Sequence, residues 1–170
     1  RHRYPHHASP HPALRPARAP RTPTAPESEL ADTGVLEAGS WRVEVGHAKA
    51  GPDAVVMRTS VRNDGPTEDT LHVLPTLWFR NTWSWGLDNR KPEFVEYQGS
   101  LVATHHTLAA MRLSASGSPE TLFCDNESNS QRLWDVAGPA FPKDAINDHV
   151  VGGHDTTNAG RTGTKASFLY

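Results

Sequence analysis

The sequence predicts an all-β protein built as an antiparallel β-sandwich, and three features of the chain support that fold class. From Trp41 onward, apolar and polar residues alternate with a period of two, which is typical of strands with one solvated face. These runs are short, and glycine, proline, asparagine and serine separate them about every ten residues. No apolar run approaches the roughly 18 residues that a membrane-spanning helix requires, so we expect no membrane contact.

The first predicted strands form a hairpin. Trp41, Val43 and Val45 share one face of the run that begins at Trp41, and the alternation continues through the next run, "DAVVMRTSVRN". The "NDGP" that closes this run predicts a turn, because Asn and Asp bond their own backbone, Gly tolerates positive φ and Pro cannot donate to a ladder. We therefore predict that the run pairs across this turn with a strand from Thr70 to Arg80.

That second arm, "TLHVLPTLWFR", loses its alternation at Leu77, Trp78 and Phe79. Both of its faces are apolar there, so we expect something to cover both faces. Later runs also have the composition of strands. They lie at Glu93–Thr104, His106–Ala115 and Thr121–Asn126.

One short helix is predicted near the C-terminus, from Lys143 to Val151. Ile146 and Val150 lie four residues apart, which places them on one helix face, and the two glycines that follow can end the helix. With this helix, residues 29–170 are predicted to form a single, incomplete β-sandwich.

Residues 1–28 are predicted to be a disordered arm that precedes the sandwich. Positions 1–26 hold seven of the 14 prolines, five arginines, four histidines and no acidic residue. Proline removes both the backbone donor and the φ freedom that helices and ladders need. A basic arm could tether nucleic acid, but this one has no lysine, and Tyr4 is its only aromatic residue. We therefore expect no nucleic-acid partner and keep the tether as the weaker alternative.

Composition favours one globular domain for the rest of the chain. Of its 170 residues, 36% are hydrophobic and 21% charged, and beyond position 26 it carries 12 basic against 19 acidic residues. Its single cysteine, Cys124, cannot form an internal disulfide, and no apolar leader follows Arg1, so we expect a cytoplasmic protein. Because the chain starts at Arg1 and ends at Tyr170 within an apolar segment, we expect both ends to be cuts.

The segment "LWFRNTWSWG", from Leu77 to Gly86, carries three of the five tryptophans. An exposed indole face can stack on the apolar face of a pyranose, while flanking polar groups bond its hydroxyls. A seam between two domains would use the same rings, and burial in a core is the plain alternative. The candidate substrate-binding or domain-interface residues are Trp78, Arg80, Asn81, Trp83 and Trp85.

Two carboxylate pairs have the composition of a general acid and a general base, Asp125 with Glu127 and Asp144 with Asp148. The first pair lies two residues apart at a predicted strand end, where turn bonds or solvent are the usual partners. Asp144 is placed to cap the predicted helix or to lie in its first turn. We therefore assign no catalytic residue to this chain.

The remaining motifs do not predict a metal or cofactor site. His149 and His154 are five residues apart across two glycines, a spacing that fits neither a helix face nor a strand face. His105 and His106 are adjacent and would point to opposite faces of a strand. "GRTGTK" lacks the full frame of a phosphate loop, and the sequon at Asn126 is expected to be idle without a secretory signal. We expect no metal and no cofactor.

Several stretches of the chain carry a family resemblance, in order and without large gaps between residues 29 and 170. They are "ELADTGVLEAGSWRVEVGHAKA", "VRNDGPTEDTLHVLPTLWFRNTWSWG", "LFCDNESNSQRLW" and "KDAINDHVVGG" followed by "GRTGTKASFLY". These stretches resemble the N-terminal region of large bacterial and fungal glucosidase-like proteins of glycoside hydrolase family 63. That family includes mannosyl-oligosaccharide glucosidase and mannosylglycerate hydrolase.

The resemblance implies a β-sandwich that precedes an (α/α)6 barrel, with the acid and the base of glycoside hydrolysis carried by the barrel. We accordingly expect this chain to be the inactive, non-catalytic N-terminal portion of a hydrolase of α-glucosyl or α-mannosyl bonds. Its partners would be the missing barrel and an oligosaccharide, and its tryptophan segment would brace and partly roof the barrel. A free-standing carbohydrate-binding module with a tryptophan platform is the alternative.

Overall fold

The protein is mostly β in the part of the chain that the structure describes. The computed structural model describes residues 2–5, 34–37, 39–86 and 88–170. These residues contain three antiparallel sheets and two short α-helices, which confirms the predicted all-β, sandwich-like fold class. The longest helix among them has eight residues, far short of the roughly 20 that span a bilayer.

The chain divides into two compact units, residues 1–70 and residues 71–170, whereas the sequence predicted one body over residues 29–170. The described residues of the first unit form an antiparallel sheet. Its strands are β1 (His2–Pro5), β2 (Ser40–Gly51) and β3 (Ala54–Asn63). They lie in the order β1-β2-β3, and β2 and β3 make a long ribbon whose residues are mostly exposed.

The predicted hairpin across Asn63–Pro66 is wrong. Strand β3 pairs instead with β2 through the turn at Gly51–Ala54, and Thr70–Arg80 contributes only a short strand, Thr76–Trp78, within the other unit. The predicted turn does form, because the Asn63 side chain bonds two backbone groups within it. It leads the chain out of the sheet rather than back along β3.

The predicted disordered arm over residues 1–28 differs from the structure at its start. Residues His2–Pro5 form β1, which pairs antiparallel with β2 from His2 opposite Val43 to Pro5 opposite Ser40. An edge strand tolerates proline, particularly at its last position, because fewer of its amide groups are needed for pairing. Residues 6–28 of the predicted arm lie outside the described residues.

The described residues of the second unit form two antiparallel sheets. Their strands are β4 (Thr76–Trp78), β5 (Glu93–Tyr97), β6 (Ser100–Thr104), β7 (Met111–Ser114), β8 (Glu120–Cys124), β9 (Thr162–Gly163) and β10 (Lys165–Leu169). One sheet has the order β4-β10-β8, and the other has the order β7-β6-β5-β9. The last strand of the chain, β10, is therefore the centre of its sheet.

The three later strand predictions are confirmed with different ends. The run at Glu93–Thr104 is two strands, β5 and β6, joined by Gln98–Gly99, where both residues have positive φ, 51° and 70°. A two-residue turn of this kind matches the twist of the strands that it joins. The run at His106–Ala115 becomes a strand only at Met111, and the run at Thr121–Asn126 corresponds to β8.

A hydrophobic core lies between the two sheets of the second unit. Its buried residues come from both sheets: Phe94, Leu101 and Ala103 from one, and Phe123, Ala166 and Phe168 from the other. Burying one phenylalanine side chain fully contributes roughly 1.5–3 kcal/mol, so the three rings supply much of the unit's hydrophobic stabilisation. Two antiparallel sheets that share a core in this way are the sandwich that the alternating pattern predicted.

Helix α1 (Ser130–Trp134) follows β8 and was not predicted. Asn129 caps it, since its Oδ1 accepts a hydrogen bond from the Arg132 N–H at 3.0 Å. The Arg132 guanidinium then donates to Asp144 Oδ2 and to Asp148 Oδ2, each at 2.7 Å. These two bonds tie α1 to the next helix.

That next helix, α2 (Ala145–Gly152), confirms the helix predicted at residues 143–151. Its Ile146 packs with Leu122 and Cys124 of β8 in a second buried cluster. Because neighbouring Phe123 faces the sandwich core, β8 is buried on both sides.

Strand β9 lies so close to β8 that only glycine fits at position 163. A Cβ on Gly163 would overlap the backbone carbonyl oxygen of Cys124 and lie 3.0 Å from its carbonyl carbon. The Cys124 thiol is fully buried, and burial raises its pKa to about 11. Cys124 therefore acts as an uncharged packing residue of β8.

Candidate functional site

Strand β4 presents a tryptophan to solvent. Trp78 lies opposite Lys165 of β10 and is 60% exposed. Leu77 and Phe79, one residue to either side, pack against the sandwich core, and the Phe79 ring stacks on Phe94 at a centroid distance of 5.3 Å. The face that carries Trp78 is therefore open within the described residues, and the cover expected for that face stays a prediction.

Asn81 shapes the chain that follows β4. Its Oδ1 accepts a hydrogen bond from the Ser84 N–H at 3.1 Å, and its backbone carbonyl accepts one from the Ser84 hydroxyl at 3.2 Å. These bonds begin a short 3₁₀ turn at Trp83–Trp85, which ends at Gly86 with a φ of 74°. Asn81 thus fixes the turn through its acceptor atoms, and a side chain at position 86 would strain the backbone.

Trp83 is the buried anchor of the segment. It is 6% exposed, and its indole Nε1–H donates to Glu127 Oε1 at 2.6 Å. The same oxygen accepts from Lys91 Nζ at 2.5 Å. Burial acts to raise the pKa of Glu127, but the hydrogen bonds from Lys91 and Trp83 outweigh it and hold the pKa below its usual range. Glu127 therefore stays charged and holds the indole in one place.

A second set of bonds ties the segment to the same loop. Asn126 Nδ2 donates to the Phe79 carbonyl at 2.8 Å, and the Asn126 backbone N–H donates to Thr164 Oγ1 at 2.7 Å. The chain at Phe79, between Trp78 and Trp83, is thus attached to the loop that follows β8. The side-chain amide of the sequon asparagine is already used in this attachment.

Trp85 is the second exposed ring of the segment. It is 54% exposed, and the Arg80 guanidinium carbon lies 4.9 Å from the centre of its ring. A cation within about 6 Å of an indole face is attracted by the ring's quadrupole. Arg80 therefore covers part of Trp85 and keeps its own donors at the surface.

The five predicted candidates thus divide into two groups. Trp78, Arg80 and Trp85 are exposed, and we call them the tryptophan surface. Trp83 and Asn81 hold that surface in place from within. Indole faces can pack on the C–H face of a sugar or on an apolar partner, and a guanidinium can donate to hydroxyl or carbonyl oxygens.

The predicted carboxylate pairs do not make a free acid and base. Burial, followed by the negative charge of Glu127, raises the pKa of Asp125, whereas Glu127 itself is held by two donors. Asp144 occupies the position before α2, but its side chain makes no cap; it bonds Arg132, as does Asp148.

The histidine motifs also differ from expectation. His105 and His106 were expected on opposite faces of a strand, but they lie in a turn before β7, with their rings stacked at 4.2 Å. His149 Nδ1 lies 2.9 Å from the backbone carbonyl of His154. Across the residues that the structure describes, no three His, Cys, Asp or Glu side chains gather as metal ligands.

Sequence reasoning did not identify the partners of Trp83. A buried indole N–H needs an acceptor, so one partner was to be expected. The acceptor is Glu127, 44 residues further along the chain, and Lys91 completes the group. Only the fold brings these positions together.

Comparison with known proteins gives no family for this chain. No protein-family model, no curated protein and no solved structure matches it. The family resemblance of the sequence motifs therefore stays a prediction.

Proposed function

We propose that this chain is the non-catalytic β-sandwich portion of a glucosidase-like glycoside hydrolase, and that its tryptophan surface braces and partly roofs an (α/α)6 catalytic barrel. The whole enzyme would hydrolyse α-glucosyl or α-mannosyl bonds. One observation carries the proposal: Trp78 and Trp85 are 60% and 54% exposed, on a segment that the buried Trp83 anchors through its hydrogen bond to Glu127.

Exposed indoles on a segment held by hydrogen bonds are typical of a binding surface. Tryptophan contributes much of the energy of interfaces because its ring removes a large apolar area from water. The bonds of Trp83 to Glu127 and of Asn81 to Ser84 hold the segment before any partner arrives. Preorganisation of this kind lowers the entropy cost of binding.

The state of the nearby carboxylates supports a non-catalytic role. Glycoside hydrolysis needs two carboxyl groups on either side of the scissile bond, one of them able to donate a proton. Glu127 is committed to Lys91 and Trp83, so it does not complete a pair with Asp125. In this proposal the acid and the base belong to the barrel.

A free-standing carbohydrate-binding module is the second candidate. The same exposed rings favour it, together with Arg80, whose donors lie beside Trp85. A module would bind an oligosaccharide without any barrel. A seam would instead bind a hydrophobic dye when its partner is absent, as exposed apolar patches do.

The test measures association of the 170-residue protein with a purified (α/α)6 domain of mannosylglycerate hydrolase, by titration calorimetry. Trp78→Ala and Trp85→Ala should each weaken association by about tenfold or more, the loss expected for an interface anchor. Trp134→Ala is the matched control, since Trp134 is 64% exposed on α1, outside the segment. It should leave association unchanged.

Four outcomes would contradict the proposal. Absence of association, or equal weakening by the Trp134 control, would contradict a contact between the tryptophan surface and the barrel. Saturable changes in tryptophan fluorescence with α-gluco- or α-manno-oligosaccharides, without barrel association, would favour the module. Turnover of an aryl α-glucoside by the purified chain would contradict a non-catalytic role.

A further inference from the structure

A polar cleft of about 470 Å³ lies in the second unit, beside the start of β5, strand β9 and the loop that follows β8. Small-molecule sites have volumes of roughly 300–1,000 Å³, so the cleft is large enough for a ligand. Its side chains are almost all polar. They include Lys91, Glu93, Asp125, Asn158, Thr162 and Thr164.

We infer that this cleft binds one neutral sugar ring, with Asp125 as its main hydrogen-bond acceptor; the inference rests on the proposed carbohydrate function. The site is separate from the tryptophan surface. It was not among the candidates that the sequence suggested.

Strand pairing forms the cleft. Gly163 of β9 lies opposite Phe94 of β5, and Thr162 lies opposite Val95. Because Gly163 has no side chain, the backbone of β9 can lie directly against Cys124 at the end of β8. Asp125 is the residue that follows β8, so the close approach of β9 to β8 places the Asp125 carboxylate at the cleft.

Most polar groups of the cleft already have partners. Lys91 Nζ donates to Glu127, and the Thr162 hydroxyl donates to Glu93 Oε1 at 3.1 Å. Asn158 bonds two backbone groups of its own turn. These bonds fix the walls of the cleft. The positive charge of Lys91 is paired with the negative charge of Glu127.

Asp125 is held more loosely. Its Oδ1 accepts a long bond of 3.4 Å from the Thr164 hydroxyl, and the Thr164 backbone N–H and the charge of Lys91 also act on this carboxyl. Burial raises the pKa of this carboxyl, with Glu127 adding to the effect. Burial therefore outweighs the bonds from Thr164 and the charge of Lys91, and a ligand hydroxyl would add a donor to this carboxylate.

The charge and composition of the cleft select among ligands. Phosphates and other anions are disfavoured, because Lys91 is neutralised by Glu127 while Asp125 and Glu93 repel negative charge. Apolar molecules would leave the polar walls without partners. A neutral polyol offers several hydroxyl donors to carboxylate and threonine oxygens, which is the match that a pyranose provides.

Glu127 links the cleft to the tryptophan surface. It accepts from Trp83, the anchor of that surface, and from Lys91, which lines the cleft. One carboxylate therefore braces both features. A sugar in the cleft and an indole of the surface would be held by the same rigid support.

The test is an NMR titration of the ¹⁵N-labelled 170-residue protein with methyl α-D-glucopyranoside and methyl α-D-mannopyranoside, up to about 100 mM, which would saturate a millimolar site. The Gly163 and Thr164 amide signals should shift saturably with one of the two sugars. Asp125→Asn should weaken binding by about tenfold or more, because it removes a charge-assisted hydrogen bond. Asp155→Asn, at an exposed position, is the matched control and should bind normally.

The absence of saturable shifts at Gly163 and Thr164, or equal affinity in the Asp125→Asn protein, would overturn the inference. Tighter binding of sulfate than of either sugar would overturn it as well. If the Asp125 variant does not fold, Thr162→Val serves instead, and unchanged affinity in that variant contradicts the site.

This experiment separates the two proposals. Trp78→Ala should leave the monosaccharide titration unchanged, since Trp78 does not line the cleft. Loss of barrel association with retained shifts at Gly163 would therefore contradict only the proposed function. Retained association without those shifts would contradict only the cleft.

Discussion

Glu127 is the side chain on which the tryptophan segment depends. It accepts from one buried indole and one lysine, and these bonds keep its pKa low despite its burial. The sequence pattern could not rank the three tryptophans, because the burial of Trp83 depends on an acceptor from a distant loop. Exposure of Trp78 could be predicted only once Leu77 and Phe79 were known to face the core.

Asp125→Asn should stabilise the protein at pH 7. Folding raises the pKa of Asp125 above its ordinary value of 3.8, because the charged carboxylate is disfavoured at this partly buried site. The protein therefore loses stability as the pH rises from 3.8 through the pKa of the folded state. Asparagine carries no charge and can still accept from Thr164. The urea midpoint of the variant should exceed that of the parent at pH 7.

The advantage should disappear below pH 3.8, where Asp125 is protonated in both the folded and the unfolded states. Urea titrations at pH 7 and pH 3 measure the difference, and Asp155→Asn should show none at either pH. A less stable Asp125→Asn protein at pH 7 would mean that the carboxylate is stabilised where it lies. A residue that costs stability and faces a cleft is typical of a binding site.

Among the elements, the β5–β6 hairpin is joined by only two residues. Gln98 and Gly99 both have positive φ, a conformation that asparagine adopts more readily than glutamine. Gln98→Asn should therefore stabilise the protein by about 0.5 kcal/mol, or roughly 1–2 °C in Tm. Calorimetry gives the measurement.

Gly99→Ala is the opposing control for this turn. With a φ of 70°, an alanine there is strained, so the variant should lose about 1 kcal/mol. Destabilisation by Gln98→Asn would contradict the turn geometry. Equal stability of the Gly99→Ala protein would contradict it too.

Local pattern predicted some elements and failed on others for identifiable reasons. Strand β8 and helix α2 follow from alternation and from a four-residue apolar spacing, which are properties of each segment alone. The strand that pairs with β3 does not follow from local pattern, because a turn at Asn63 and a turn at Gly51 are equally consistent with the same alternation. Strand pairing is a property of two segments, and Thr76–Trp78 pairs with β10, about ninety residues later.

At the scale of the whole molecule, the two units differ in how much they bury. The second unit packs residues of two sheets into a shared core. In the first unit, β3 pairs on one side with β2 and has no second partner among the described residues, and Val55, Val56 and Met57 are exposed. A ribbon of this kind opens more readily than a sandwich.

Amide hydrogen exchange should therefore be faster in β3 than in β10 by about a hundredfold or more. Mass spectrometry of peptides that cover Ala54–Asn63 and Lys165–Leu169 measures both strands in one sample. Strand β10 pairs with a strand on each side and contributes Ala166 and Phe168 to the core, which is why it should exchange slowly. Protection of β3 equal to that of β10 would mean that another strand covers its edge.

Gly163 places a steric constraint on any sequence that adopts this fold. Any chain that brings the same two strands together must leave that position without a side chain, because the carbonyl group of Cys124 already occupies the space. An alignment that puts a bulkier residue at this column has either slipped by a position or joined proteins that fold differently.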